Sequence, residues 1–123
     1  MPDLDPRTIK QKYIYVANMN PGIKSKPGKV RPVVVIQSSD TLEAGTSGVV
    51  VVPCTTRLQE ENILRLRLSP RKGLGLTKPS DILIDEIHTL HRSFFYEELG
   101  TLLPEEWDKI KEGVRFLLND LEL

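Results

Sequence analysis

Two runs of β-branched residues set the first constraint on how this chain folds. Residues 33–36 read Val-Val-Val-Ile directly after Arg31-Pro32, and residues 49–52 read Val-Val-Val-Val directly before Pro53-Cys54-Thr55. Side chains branched at Cβ favour extended backbone, and uninterrupted apolar runs of this length between turn residues read as buried strands. Each run delivers a polar residue to its rim: Arg31 at the start of one, Thr55 at the end of the other. Pro32 restricts the residue before it to extended conformations and offers no N–H to a ladder, so Arg31 is predicted where its strand begins. An arginine at a strand mouth is either an anion clamp or a surface residue that opens a core strand, and the local pattern leaves both open.

Charge is distributed less evenly than the formal net of zero implies. Residues 1–57 carry eight Lys/Arg and four Asp/Glu, a net of +4, whereas residues 58–123 carry nine and thirteen, a net of −4. Seven basic residues and no acidic one fall between Arg7 and Arg31, a run suited to phosphates or to a solvated face. Cys54 is the single cysteine, which excludes an internal disulfide and a multi-cysteine zinc site. The opening MPDLDPRTIKQK has no apolar signal core, and no apolar run approaches the roughly 18 residues of a membrane span. A soluble, cytoplasmic protein is the expectation.

Taken in order, residues 1–11 contain two prolines and few apolar side chains and are predicted to be a flexible lead-in to a single domain over residues 12–123. Tyr13–Ala17 has the composition of a first strand and ends at the turn residues Asn18-Met19-Asn20-Pro21-Gly22. Residues 23–29 form a basic loop. Strand two is predicted over Arg31–Ser38, a polar connection over Ser39–Ser47, and strand three over Gly48–Thr55, with Pro53 splaying Cys54, Thr55 and Thr56 from the ladder. Ile63–Leu68 alternates apolar and basic residues, so a fourth strand with one solvated basic face is expected. Ser69–Pro79 is loop, and Ser80–Ile87 a fifth strand. The segment around Phe94, Phe95, Tyr96 and Leu99 fits a short strand or a helical turn. Pro104-Glu105-Glu106 opens a helix whose apolar face carries Trp107, Ile110, Val114, Leu117, Leu118 and Leu121. Short strands without alternating helices, closed by a terminal helix, predict a mainly β (α+β) fold built as a small antiparallel barrel or strongly curved sheet.

Few residues are suited to chemistry. His88 and His91 would share a helical face, but their segment reads as strand, where residues three apart point to opposite faces, so no metal site is expected. Cys54 sits in a valine-rich strand and reads as a buried structural thiol. Phosphoryl transfer fits the rim residues better. Cleaving RNA by attack of the adjacent 2′-OH needs a base, an acid and donors for charge on the phosphoryl oxygens. Arg31 offers a bidentate cation and Thr55 a hydroxyl. Asp85 is a candidate base, a group to orient Arg31, or a strand-capping ion pair.

These residues resemble the MazF/PemK toxins of bacterial and archaeal toxin–antitoxin systems. GKVRPVVVIQ (28–37) is similar to the family's G-x-R-P-strand signature, and VVVVPCTTR (49–57) to its second, in which a threonine ends the following strand. Tyr15–Pro21, SDILIDEIHTL (80–90) and the last helix continue the match in order over roughly residues 11–121. The resemblance implies an SH3-like antiparallel β-barrel with a C-terminal α-helix, a homodimer, and cofactor-free, metal-independent cleavage of single-stranded RNA to 2′,3′-cyclic phosphate and 5′-OH ends. It places the essential arginine on Arg31, the essential threonine on Thr55 and an acidic base on Asp85. Lys24, Ser25, Lys26 and Lys29 in the basic loop, with Thr56 and Arg57, are the implied RNA contacts. A cognate antitoxin with an acidic tail would cover the site, and the toxin–antitoxin complex would bind its own promoter DNA. The chain departs from the family at Lys12-Tyr13 (usually Gly-Asp), at Lys24-Ser25-Lys26-Pro27 (Gly-Ser-Glu-Gln), at Glu86 (Gln) and at His88 (Arg). Two other readings use the same barrel: a nucleic-acid-binding module that does not cut, and a gyrase-inhibiting toxin.

Overall fold

The valine runs form the centre of the sheet. The computed structural model describes residues 4–19 and 30–119, in which β2 (Val30–Val35) and β3 (Gly48–Thr55) pair antiparallel with Val33 opposite Pro53 and Val35 opposite Val51. On the outer side of β2 lies β1 (Tyr13–Asn18), and beyond it β7 (Phe95–Thr101). The other edge of β3 is shared: its first half pairs with β6 (His88–His91), and Cys54 and Thr55 pair with β5 (Ser80–Leu83), which carries β4 (Arg65–Leu68) outside it. The expected mainly β, antiparallel architecture is therefore present, with strand order β4-β5-β3-β2-β1-β7 and β6 added to β3. Two register shifts between β1 and β7 coil the sheet, as bulges do.

Both faces of the central strands are covered, which explains runs of valine in place of alternation. Val34, Val52 and Cys54 join one core with Ile14, Ile82 and Ile110, while Val33, Val35, Val49 and Val51 join a second with Tyr15 and Phe95. Fully burying each such aliphatic side chain contributes about 1.5–3 kcal/mol. The first core is closed by α2 (Pro104–Leu117), where Glu106 accepts the Leu103 N–H (2.8 Å) and forms a bidentate pair with Arg71 (2.7 Å each). Ile110 and Gly113 are its buried residues; a side chain at Gly113 would collide with the Ile63 carbonyl and Ile84. The apolar face predicted to run on to Leu121 is buried only in part: Leu117 and Leu118 are exposed, and Leu121 lies outside the described residues.

Several boundaries differ from the sequence-based expectation for identifiable reasons. Pro53 does not end the ladder: having no N–H, it marks where β3 exchanges β6 for β5, so Cys54 and Thr55 remain paired and only Thr56 leaves. The predicted fifth strand over Ser80–Ile87 ends early: only β5 (Ser80–Leu83) is strand, residues 84–87 turn away, and β6 begins after them at His88, along the same edge of β3. The segment around Phe94 is both alternatives in succession, a 3₁₀ turn over Arg92–Phe94 and then β7. Ser39–Glu43 is a short helix, α1, capped by Ser38. In the N-terminal lead-in, Pro6–Thr8 forms a 3₁₀ turn, Ile9 is buried, and Arg92 donates to the carbonyls of Pro6 and Leu42 (2.8 Å each) and Thr46 (2.5 Å). No helix among the described residues is long and apolar enough to cross a membrane.

Candidate active site

Directly opposed residues of an antiparallel ladder share a face, and that rule assembles the site. Thr55 lies opposite Asp81, and Asp81 opposite Arg67, so the three form one row across β3, β5 and β4. Continuing the β2–β3 register two residues past Val33 and Pro53 brings Arg31 into the same row, opposite Thr55. Arg31 and Thr55 then line a cleft of about 500 Å³ with Val30, Pro32, Cys54, Thr56, Arg57 and Ser80. Of the residues singled out from the sequence, Arg31, Thr55, Thr56 and Arg57 are thus brought together. Lys24, Ser25, Lys26 and Lys29 lie outside the described residues.

The two rim residues are presented differently. Arg31 is half-buried, and among the described residues no carboxylate pairs with it, so its guanidinium is available to an incoming anion. Thr55 Oγ1 accepts the Arg57 N–H (3.1 Å), which uses one lone pair and leaves the O–H to donate elsewhere. Behind them, Cys54 is 2 % exposed; burial pushes its thiol up to about 12, against the opposing pull of the Arg31 charge. The thiol is protonated at neutral pH and packs as a small apolar group, as its valine-rich setting suggests.

Asp85 is not in this cleft. It is exposed in the turn after β5, whereas the cleft lies at the opposite end of that strand, beside Ser80 and Asp81. The described lining holds donors and no carboxylate or imidazole. His88 and His91 are both exposed on β6, with His91 Nδ1 accepting the Ser93 N–H (3.1 Å). Among the described residues, no three His, Cys, Asp or Glu side chains are grouped to hold a metal ion.

The acidic residue next to the site is Asp81, which the sequence reading passed over. Its side chain is 0 % exposed and takes Arg65 Nε (2.6 Å), Arg67 Nε and the Gln59 N–H (3.0 Å). Burial alone would raise its pKa, but hydrogen bonds from Arg67, the Gln59 N–H and Arg65 outweigh that cost and bring it down to about 2. The basic face predicted as solvated on β4 is therefore folded onto this carboxylate, leaving Arg65 and Arg67 only 14 % and 29 % exposed. Arg65 and Arg67, two apart on one strand, were the available signal. It was unreadable without knowing that β5 places Asp81 opposite Arg67.

Comparisons with known proteins agree with this fold. Residues 10–118 match the family described as PemK-like, MazF-like toxin of type II toxin-antitoxin system. A probable endoribonuclease MazF of Mycolicibacterium smegmatis is 40% identical over 75 residues, covering 61% of this chain and 67% of that protein. Among solved structures, an endoribonuclease in complex with its cognate antitoxin from a mycobacterial species superposes with a TM-score of 0.73 at 18% identity, over 94% of this chain and 100% of that one. A MazE–MazF structure from Deinococcus radiodurans gives 0.72 at 19%, over 92% and 97%. With the family match spanning nearly the whole chain and the fold shared, the chain belongs to the PemK-like, MazF-like toxins of type II toxin–antitoxin systems.

Proposed function

We propose that this toxin is an endoribonuclease that cuts single-stranded RNA at the Arg31–Thr55 cleft. The observation that carries the reading is a half-buried guanidinium without a carboxylate partner among the described residues, sharing a cleft with a hydroxyl that accepts a backbone N–H. In this reaction the ribose 2′-OH attacks the neighbouring phosphorus and the 5′-oxygen leaves, giving 2′,3′-cyclic phosphate and 5′-OH ends. Negative charge grows on the non-bridging oxygens, where Arg31 and the Thr55 O–H donate. Thr56 and Arg57 extend the donor surface along the backbone of the substrate, and Lys24, Ser25, Lys26 and Lys29, which precede Arg31 in sequence, add further contacts. A single-strand preference follows because base edges are accessible where bases are unstacked.

The toxin acts in the cytoplasm as a homodimer and is held inactive by an antitoxin whose acidic tail covers the Arg31 cleft; the pair binds its promoter DNA. The mycobacterial neighbour solved with its cognate antitoxin supports such a partner.

Purified protein incubated with a long single-stranded RNA in chelator tests the activity. Wild type should produce discrete fragments, and Arg31→Ala and Thr55→Ala should each be slower by roughly 10²–10³, the usual loss for one transition-state donor. Equal cleavage by all three proteins would overturn the assignment. RNA that binds yet stays intact would select the non-cutting module, a reading favoured by a described lining without a base.

A further inference from the structure

We propose that Asp81, Arg65 and Arg67 form a positioning unit that holds residues 57–59 in the conformation that sets Arg57 and the Thr55 hydroxyl against Arg31. The inference rests on the nuclease reading above. The chain leaves the sheet after Thr55, so the backbone groups that follow have no ladder partner. Three of them are taken up by this cluster: the Gln59 N–H donates to Asp81 Oδ2 (3.0 Å), Arg67 Nη2 donates to the Gln59 carbonyl, and Arg65 Nη2 donates to the Arg57 carbonyl. Each arginine thus bridges the buried carboxylate and one loop carbonyl, a task for a planar fork that a lysine's single nitrogen cannot reproduce.

The loop is also tied to the reacting surface. The Arg57 N–H donates to Thr55 Oγ1, so displacing residue 57 releases the lone pair that orients the hydroxyl. None of the three cluster side chains lines the cleft, whereas Thr55 and Arg57 do. Asp81, Arg65 and Arg67 are therefore positioning residues, acting on substrate only through the loop. The row across the sheet has a division of labour: the single buried carboxylate is satisfied from β4, which leaves Arg31, at the other end, without competition for phosphate.

Arg67→Lys tests this with charge retained and the fork removed; Arg65→Lys serves if the first variant melts below the assay temperature. Two readouts separate the clamp from the activity. Amide hydrogen exchange at Gln59 should accelerate in Arg67→Lys while exchange in β2 and β3 stays at the wild-type rate, and an unchanged Gln59 rate would overturn the clamp whatever the protein does to RNA. In a double-mutant cycle on RNA cleavage, Arg67→Lys should lower kcat/KM by about tenfold to a hundredfold, as misplacement of a catalytic group does. In an Arg57→Gln background the same change should cost several-fold less, because one of the two groups it positions is gone and only the Thr55 hydroxyl, still held by the residue-57 N–H, remains to be misplaced. A loss of equal size in both backgrounds is the signature of general destabilisation and would contradict positioning. Intact RNA with wild-type protein would count against the nuclease reading and leave the exchange result to judge the clamp.

Discussion

At the scale of single residues, the chain separates reactive groups from structural ones by their neighbours more than by their type. Cys54 and Thr55 are adjacent in sequence, yet strand alternation turns the thiol into the core and the hydroxyl into the cleft. The thiol should therefore resist thiol-specific reagents in folded protein at pH 7 and react once urea exposes it; rapid native reaction would contradict the burial. Arg65 and Arg31 are both half-buried arginines, but only Arg65 is neutralised. Asp85 lies in a turn remote from the cleft, so Asp85→Asn should leave the cleavage rate within about threefold of wild type, the range of surface substitutions without a specific contact. A loss comparable to Arg31→Ala would restore Asp85 as a base.

Among elements, the buried ion cluster joining β4, β5 and the 57–59 loop dominates. Removing the carboxylate strands two guanidiniums, so Asp81→Ala should cost about 3–5 kcal/mol in urea unfolding. The pH dependence has a definite sign. The folded carboxyl titrates near 2 and the unfolded one near 3.8, so the unfolded chain takes up the proton first. The contribution of Asp81 is complete above the unfolded value and disappears as pH falls toward 2. Asp81→Asn should flatten the stability profile in that window, and an unchanged acid slope would refute the assignment. This cluster was illegible in the sequence because alternating Arg65-Leu66-Arg67 looks the same whether its polar face meets water or a carboxylate. The valine strands, by contrast, were legible because burial on both faces leaves a run that nothing else explains. Legible too was the start of α2, where Pro104, Glu105 and Glu106 each meet a chemical need of a helix N-terminus. The early end of the Ser80–Ile87 strand was not, because β3 changes partners from β6 to β5 at Pro53, a property of the sheet and of no single strand.

For the whole molecule, the separation of charge along the chain becomes a statement about association. Arg31 and Arg57 belong to the half of the sequence with a net of +4 and line one cleft, so an acidic antitoxin tail of the kind proposed above would be drawn to it. Its on-rate should fall steeply as salt rises from low to physiological ionic strength, read by stopped-flow mixing, and a salt-insensitive rate would argue against docking over Arg31. RNA affinity should show the same sense of salt dependence. On the proposed reading the cleft catalyses phosphoryl transfer from the 5′-oxygen to the adjacent 2′-OH, with Arg31 and Thr55 stabilising the developing charge. The most direct test is a single-turnover cleavage of one RNA strand beside the same strand with the ribose at the mapped cut made 2′-deoxy. Wild type should cut only the all-ribose strand and leave a 5′-OH that kinase labels without prior phosphatase, with the product greatly diminished in Arg31→Ala. Cleavage of the deoxy-substituted strand at that position, or fragments that need phosphatase before labelling, would contradict it.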